Sequence, residues 1–454
     1  MELIMISFQK KRLLSFILII VLSLSVIYPQ SVVKHPKWSY NKSIYEVNVR
    51  QYSEKGTFKE FEKQLPRLKD MGIGILWLMP INPIGETNRK GTLGSYYAVK
   101  DYKAVNPEYG NIDDLKGLVK SAHKLGMYVI IDWVANHTSW DNKLASEHPD
   151  WFTKDSLGNF VPPVADWADV IDLNYDNKQL REYMIGALEY WIKECNVDGY
   201  RCDVAGMVPT DFWIEARKRL NKIKPVFMLA EAEEPEIHQA FDMTYSWKFY
   251  NIMNDIATGK KDVTGLVSLL NEEKTAYPMS AFRMRFTSNH DENSWNGTEF
   301  ERLGDAVETF AVLTAVVPGM PLVYSGQEAG YNKRLEFFEH DPIVWNDTSR
   351  YAKVYKAIFN YKLKSKALQS GEKGGKLQLL SSPDDKNIFA FVRVSGKEKV
   401  VCVFNLSKES RNTAINSKLI KGKYINLYTG EKINLDQIAS FELKPWEYKI
   451  FTGK

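Results

Sequence analysis

Cysteine is nearly missing from this chain: only Cys195, Cys202 and Cys402 occur in 454 residues, and no CxxC pair is among them. An odd count without clustering excludes a disulfide framework and a thiolate metal site, so the three read as buried free thiols and the fold must rest on its hydrophobic core. A charge excess of one sign is also lacking. Lys+Arg number 60 against Asp+Glu 56, a formal net charge of +4. Spread over this length, that gives no basic stripe for a nucleic acid. After residue 28 no apolar run is long enough to span a membrane, and there is no internal repeat or low-complexity segment. What is abundant is aromatic: 13% of residues, with 12 Trp and 24 Tyr. Core packing accounts for such an excess, and so does a cleft whose flat faces stack on sugar rings.

The N-terminus differs from the rest. Lys10, Lys11 and Arg12 precede an apolar run from Leu13 to Tyr28 that breaks at Pro29. As a helix this run rises about 24 Å, short of the ~30 Å hydrocarbon core. The basic flank, the short apolar stretch and the small residues (Ser23 and Ser25, or Pro29 and Ser31) make residues 1–31 a secretory signal peptide. The mature protein is expected in the periplasm or outside the cell, without stable membrane insertion. An uncleaved anchor is the alternative.

Beyond it, short apolar or β-branched runs alternate with amphipathic stretches. Strands are predicted at Ser43–Arg50, Gly74–Pro80, Met127–Trp133, Gly199–Asp203, Val226–Glu231, Phe241–Tyr245, Arg283–Ser288 and Leu322–Tyr324. Eight β/α units over this length predict a (β/α)8 TIM barrel, an α/β fold, over residues 32–137 and 178–368. Residues 138–177 are too long for an ordinary loop and carry Trp140, Trp151 and Trp167, which predicts an inserted subdomain B after strand three. From residue 369 the pattern changes to alternating strands at Leu377–Leu380, Ile388–Val394, Lys399–Leu406, Tyr424–Tyr428 and Tyr448–Phe451, a C-terminal antiparallel β-sandwich.

In such a barrel the chemistry sits where strands end. Strand three ends in Asp132-Trp-Val-Ala-Asn136-His137, strand four in Gly199-Tyr-Arg201-Cys-Asp203, strand five in Leu-Ala-Glu231, and strand seven in Ser-Asn289-His290-Asp291. Carboxylates on three strands suit glycoside hydrolysis: one attacks the anomeric carbon, one moves the proton, and one stabilises the transition state. Arg201, two residues before Asp203, shares its strand face and is expected to keep it ionised. A metal site built from His137, His290 and the acids is the competing chemistry, but no HxH or HExxH spacing supports it.

These motifs resemble those of glycoside hydrolase family 13, the α-amylase family, along nearly all the mature length. Asp132–His137 is similar to the family's DxxxNH region, Gly199–Asp203 to its GxRxD region, Glu231 to its lone acid, and Asn289–Asp291 to its NHD. Gly74–Pro83 and Gly319–Glu328 agree as well. The resemblance implies a retaining hydrolase of α-1,4 bonds in starch or maltooligosaccharides. Asp203 would be the nucleophile, Glu231 the general acid/base and Asp291 the transition-state stabiliser. Tyr97, His137, Arg201 and His290 would contact the sugar at the scissile bond.

Departures from the family pattern bear on specificity. Gly206 and Met207 stand where many α-amylases carry Lys and His, and Ser95-Tyr96 replaces the usual His-Gly before Tyr97. Asp203-Val204-Ala205 looks more like the neopullulanase and cyclomaltodextrinase group, which leaves transglycosylation or α-1,6 cleavage open on the same scaffold. The family also contains barrels that lost catalysis and serve as subunits of membrane complexes; here all three carboxylates stand. No cofactor is implied for the chemistry. A structural Ca2+ is a weaker implication, with Asn136 and Asp172 as side-chain ligands and Met207 supplying a carbonyl.

Overall fold

The computed structural model describes residues 33–346 and 348–453; the proposed signal peptide lies outside them. Eight parallel strands close into a barrel: β1 (Ile44–Val47), β2 (Ile75–Leu78), β3 (Tyr128–Val134), β6 (Gly199–Asp203), β7 (Phe227–Ala230), β8 (Met243–Thr244), β9 (Phe282–Arg285) and β10 (Met320–Tyr324). β1 pairs with both β2 and β10, which completes the ring. The inserted segment adds β4 (His137–Ser139) and β5 (Val170–Asp172), an antiparallel pair.

Both faces of the barrel strands are buried, yet the period of two persists. Ile44, Ile75, Trp77, Ile130, Phe227 and Leu229 fill the barrel interior. Their neighbours Tyr45, Leu76, Leu78, Val129, Ile131 and Met228 pack outward under the helices. The strand-one prediction ran too long because Asn48 stops it. Its side chain accepts from the Gln51 backbone N–H and caps a short helix, Val49–Tyr52. Strand seven likewise ends at Arg285, so the Asn289-His290-Asp291 motif lies beyond it, where the chain turns into a helical segment.

The C-terminal part forms a six-stranded antiparallel sheet, ordered β11 (Lys376–Leu379), β12 (Ile388–Ser395), β13 (Glu398–Asn405), β18 (Tyr448–Gly453), β15 (Gly422–Asn426) and β16 (Lys432–Leu435). A second sheet pairs β14 (Arg411–Asn416) with β17 (Ile438–Leu443). Ile415, Phe441 and Leu443 of the small sheet pack with Val401, Val403 and Phe451 of the large one, which makes the sandwich. β14, β16 and β17 were missing from the sequence reading because polar and exposed residues dominate them; β17 is buried only at every second position.

Arg393 joins this domain to the barrel. Its guanidinium, 1% exposed, donates to the Val316 and Val317 carbonyls at 3.1 and 3.2 Å, at the end of helix Val307–Val316, and also to Gln369 and Gly375. A cation there satisfies carbonyls that the helix itself leaves unpaired. All three cysteines are buried and free, as expected. Among the described residues no helix is long and apolar enough to cross a membrane.

Candidate active site

β6 is the keel of the site. Gly199 starts it at φ +150°, where a Cβ would lie 1.8 Å from the Phe227 carbonyl oxygen, so only glycine lets β6 and β7 approach this closely. Two residues on, Arg201 faces the barrel interior with no exposure. In the parallel register it lies opposite Asp132 of β3, and its Nη1 donates to both Asp132 oxygens at 2.9 and 3.0 Å. The same Nη1 donates to Asp203 Oδ1 at 3.0 Å, and Nη2 pairs with Glu231 Oε2 at 2.8 Å. One guanidinium therefore gathers three carboxylates from three adjacent strands or strand ends. The rings of Trp77, Tyr97 and Tyr245 surround it, with centroids 5.0 to 5.7 Å away.

The acids open toward solvent in graded fashion: their side chains are 9% exposed at Asp203, 14% at Glu231 and 36% at Asp291. Glu231, one residue past β7, accepts the Val204 backbone N–H at 2.8 Å. Val204 itself has φ +35°, a left-handed conformation costly for a β-branched residue and typical of strain held at functional sites.

Electrostatics here depart from the expectation that Arg201 keeps Asp203 ionised. Burial pushes the Asp203 carboxyl well up; Arg201 opposes this, but Glu231, Asp132 and Asp291 push it further. A single cation shared among three anions cannot neutralise each of them. Asp291 is held down, because the neighbouring His290 and Arg201 outweigh its burial. His137 opens β4 with its Nε2 3.8 Å from Asp203 Oδ2, and burial pushes it down to about 3, so it meets a ligand as a neutral ring.

Tyr97 is brought to the same point. Its hydroxyl donates to Asp132 Oδ2 at 3.1 Å and lies 2.7 Å from His290 Nε2, while its ring stacks on the His290 ring at 5.4 Å. The chain therefore brings together Tyr97, His137, Arg201, Asp203, Glu231, His290 and Asp291, and a cleft of about 610 Å³ opens above them.

Sequence reading missed several residues of this cleft. Trp295, 52% exposed on the π-helical segment Glu292–Asn296, packs on Phe337 and Phe338 at 5.2 and 5.7 Å to form an aromatic wall. Trp167 of the inserted segment faces His137 at 5.3 Å, and Lys90 bridges to that segment through Asp169 at 3.1 Å. Asp132 was read only as the start of a motif, yet it is the acid most fully tied to Arg201.

The calcium implication finds little support in the donor set. Asn136 and Asp172 come to neighbouring positions: His137 pairs with Asp172, and the Leu173 N–H donates to the Asn136 carbonyl at 3.0 Å. Two side-chain oxygens fall well short of the six to eight that calcium takes. Among the described residues no group of three or more His, Cys, Asp or Glu could hold an ion.

Comparison with known proteins agrees with this architecture. The family described as "Alpha amylase, catalytic domain" matches residues 27–160 and 151–367, and "Maltogenic Amylase, C-terminal domain" matches 377–450. A solved α-amylase from Lactobacillus plantarum is 35% identical with a TM-score of 0.82, over 91% of this chain and 99% of its own. A maltogenic α-amylase from Thermotoga neapolitana is 33% identical with a TM-score of 0.84, over 91% of this chain and 98% of its own. Alpha-amylase 3 of Dictyoglomus thermophilum is 25% identical, covering 91% of this chain and 93% of that protein. A cyclomaltodextrinase of Geobacillus thermopakistaniensis is also 25% identical, covering 85% of this chain and 68% of that protein.

Proposed function

We propose, since this chain belongs to the α-amylase family of glycoside hydrolases acting on α-glucans, that it is an exported retaining enzyme cleaving α-1,4 bonds of starch or maltooligosaccharides. One observation carries the mechanism: a single guanidinium, Arg201, holds Asp203 at 3.0 Å and Glu231 at 2.8 Å. Carboxyls that share one guanidinium are close neighbours, and retention uses a separation of roughly 5–5.5 Å, whereas inversion needs about 6.5–9.5 Å to seat a water.

In this reading Asp203 attacks the anomeric carbon as Glu231 protonates the leaving oxygen. A glycosyl ester forms on Asp203, and Glu231 then deprotonates the water that cleaves it. Asp291, kept ionised beside His290, faces the positive charge that develops on the sugar ring. Trp295, Phe337 and Phe338 offer stacking faces to flanking sugars. Proton NMR in the first minutes of maltooligosaccharide hydrolysis, before mutarotation, should show the α-anomer. An initial β-anomer would sink the roles of Asp203 and Glu231 together.

A second reading is favoured by the Asp203-Val204-Ala205 sequence and the similarity to a cyclomaltodextrinase: the same glycosyl ester is resolved by another sugar, or α-1,6 bonds are accepted. Chromatography of products from maltooligosaccharides, pullulan and cyclodextrin separates the two. Export is supported by the basic and apolar N-terminus alone. Mass spectrometry of protein from the producing cell should find a mature chain beginning between Val26 and His35; retention of Leu13–Ile27 would make it an anchored enzyme.

A further inference from the structure

Glu46 belongs to none of the motifs read from the sequence, yet it reaches the centre of the site. It shares the inner face of β1 with Ile44 and is fully buried. Its Oε1 lies 2.5 Å from His290 Nδ1, and its Oε2 is buried without a hydrogen-bond partner. An acid at a barrel-interior position where its neighbours are Ile and Trp is costly unless a cation answers it. The His290 ring is fixed on both sides, stacked on Tyr97 and edge-on to Trp77 at 6.0 Å. Its Nε2 lies 3.2 Å from Asp291 Oδ2 and 2.7 Å from the Tyr97 hydroxyl.

We propose that Glu46 is a positioning residue of the active site: its carboxylate accepts the His290 Nδ1–H and so aims the Nε2–H of that ring at Asp291 and at the sugar hydroxyl beside it. This rests on the reading of Asp291 and His290 as groups that meet the sugar. The same holds for any histidine whose outer nitrogen is anchored by a carboxylate: the anchor sets tautomer, orientation and charge.

Every charged neighbour bears on the charge of that ring. Glu46 faces it from β1, Asp132 from β3, Asp291 from the next position in the chain and the Tyr97 hydroxyl from the loop after β2; Arg201 of β6 lies beyond Asp132. Trp77 and Phe337 add only apolar surface. Burial alone would lower the His290 pKa, but Asp291 and Glu46 raise it well above the ordinary value. The ring is therefore an imidazolium at neutral pH, donating from both nitrogens. An uncharged group at position 46 would let the proton leave at lower pH, and Nε2 would lose its fixed role as donor.

Glu46→Gln keeps the shape and an acceptor oxygen and removes the charge. In nitrogen-15 NMR the His290 ring of this variant should lose its proton at a pH about one to three units lower than in the wild type, the size of a lost opposite charge at close range. A packing role alone would leave that titration in place, and an unchanged titration overturns the proposal. Nitrogen-15 NMR of the wild-type imidazole provides a readout that needs neither substrate nor variant. Both His290 nitrogens protonated at pH 7 supports the assignment, and a neutral ring overturns it even if Glu46→Gln does not fold. A protein that shows the imidazolium but cleaves no α-glucan fails the functional reading and keeps the Glu46–His290 pair.

Discussion

Asp203→Asn should fold, bind maltooligosaccharides and turn them over on the order of 10⁴-fold or more slower than the wild type. An amide cannot form the glycosyl ester, so the loss falls on kcat and leaves ground-state binding. The Arg201 donor that now meets Asp203 Oδ1 at 3.0 Å can still meet an amide oxygen. Glu231→Gln should fail differently. It cannot protonate a sugar leaving group, but it still offers an acceptor to the Val204 N–H and leaves Asp203 free to attack. An α-glucosyl fluoride, whose leaving group needs little protonation, should therefore form the intermediate at a near-normal rate in Glu231→Gln and at no measurable rate in Asp203→Asn. Rapid-quench measurement of fluoride release compares them. Equal losses on starch and fluoride in Glu231→Gln would remove it as the acid.

The second large effect concerns the cation. Arg201→Met should cost about 3–5 kcal/mol of folding stability, because it leaves Asp132, Asp203 and Glu231 buried and clustered without their shared partner. Denaturant titration measures this. Arg201→Lys keeps one charge but loses the planar fork, so it can answer one or two of the acids and never all three. It should fold, with kcat reduced by roughly 10²–10³. The pH profile adds a sign. As the proposed nucleophile Asp203 would attack only when ionised, and Arg201 is the group that lowers its pKa against burial and three acidic neighbours. A weaker cation lets that pKa rise further, so the acid limb of kcat/KM in Arg201→Lys moves to higher pH. A limb that stays or moves to lower pH would mean that Arg201 does not hold the nucleophile's charge.

Much of this was legible because barrel strands carry their chemistry at their ends. Asp203 closes β6, and Glu231 follows β7 by one residue, so apolar runs ending in acids announced both. Arg201 could be placed on the face of Asp203 by period two alone. The charge state of Asp203 could not, because it depends on Asp132, which the β3–β6 register brings to the same guanidinium. Trp295, Phe337 and Phe338 were invisible for another reason: a short π-helical segment meets a turn, neither is long enough to show a period, and a lone aromatic in either carries no signal. Glu46 did leave one. An acid inside the apolar Ile-Tyr-Glu-Val run of a buried strand has no apolar reason to be there, and it points to a partner elsewhere in the chain.

The gathering of Glu46, Asp132, Asp203, Glu231 and Asp291 around Arg201 and His290 also sorts ligands by charge. The floor of the cleft carries more acids than cations, in a setting where water screens little. A phosphoryl or carboxylate substituent on the sugar at the scissile bond would meet like charge there, so phosphorylated glucans and uronic acids are expected to be poorer substrates than neutral glucans in a direct rate comparison. A neutral polyol enters without penalty, and a ring carrying a positive charge gains by entering. The same imbalance that in the proposed mechanism would answer a developing oxocarbenium ion for an instant would act as a standing filter on what approaches it.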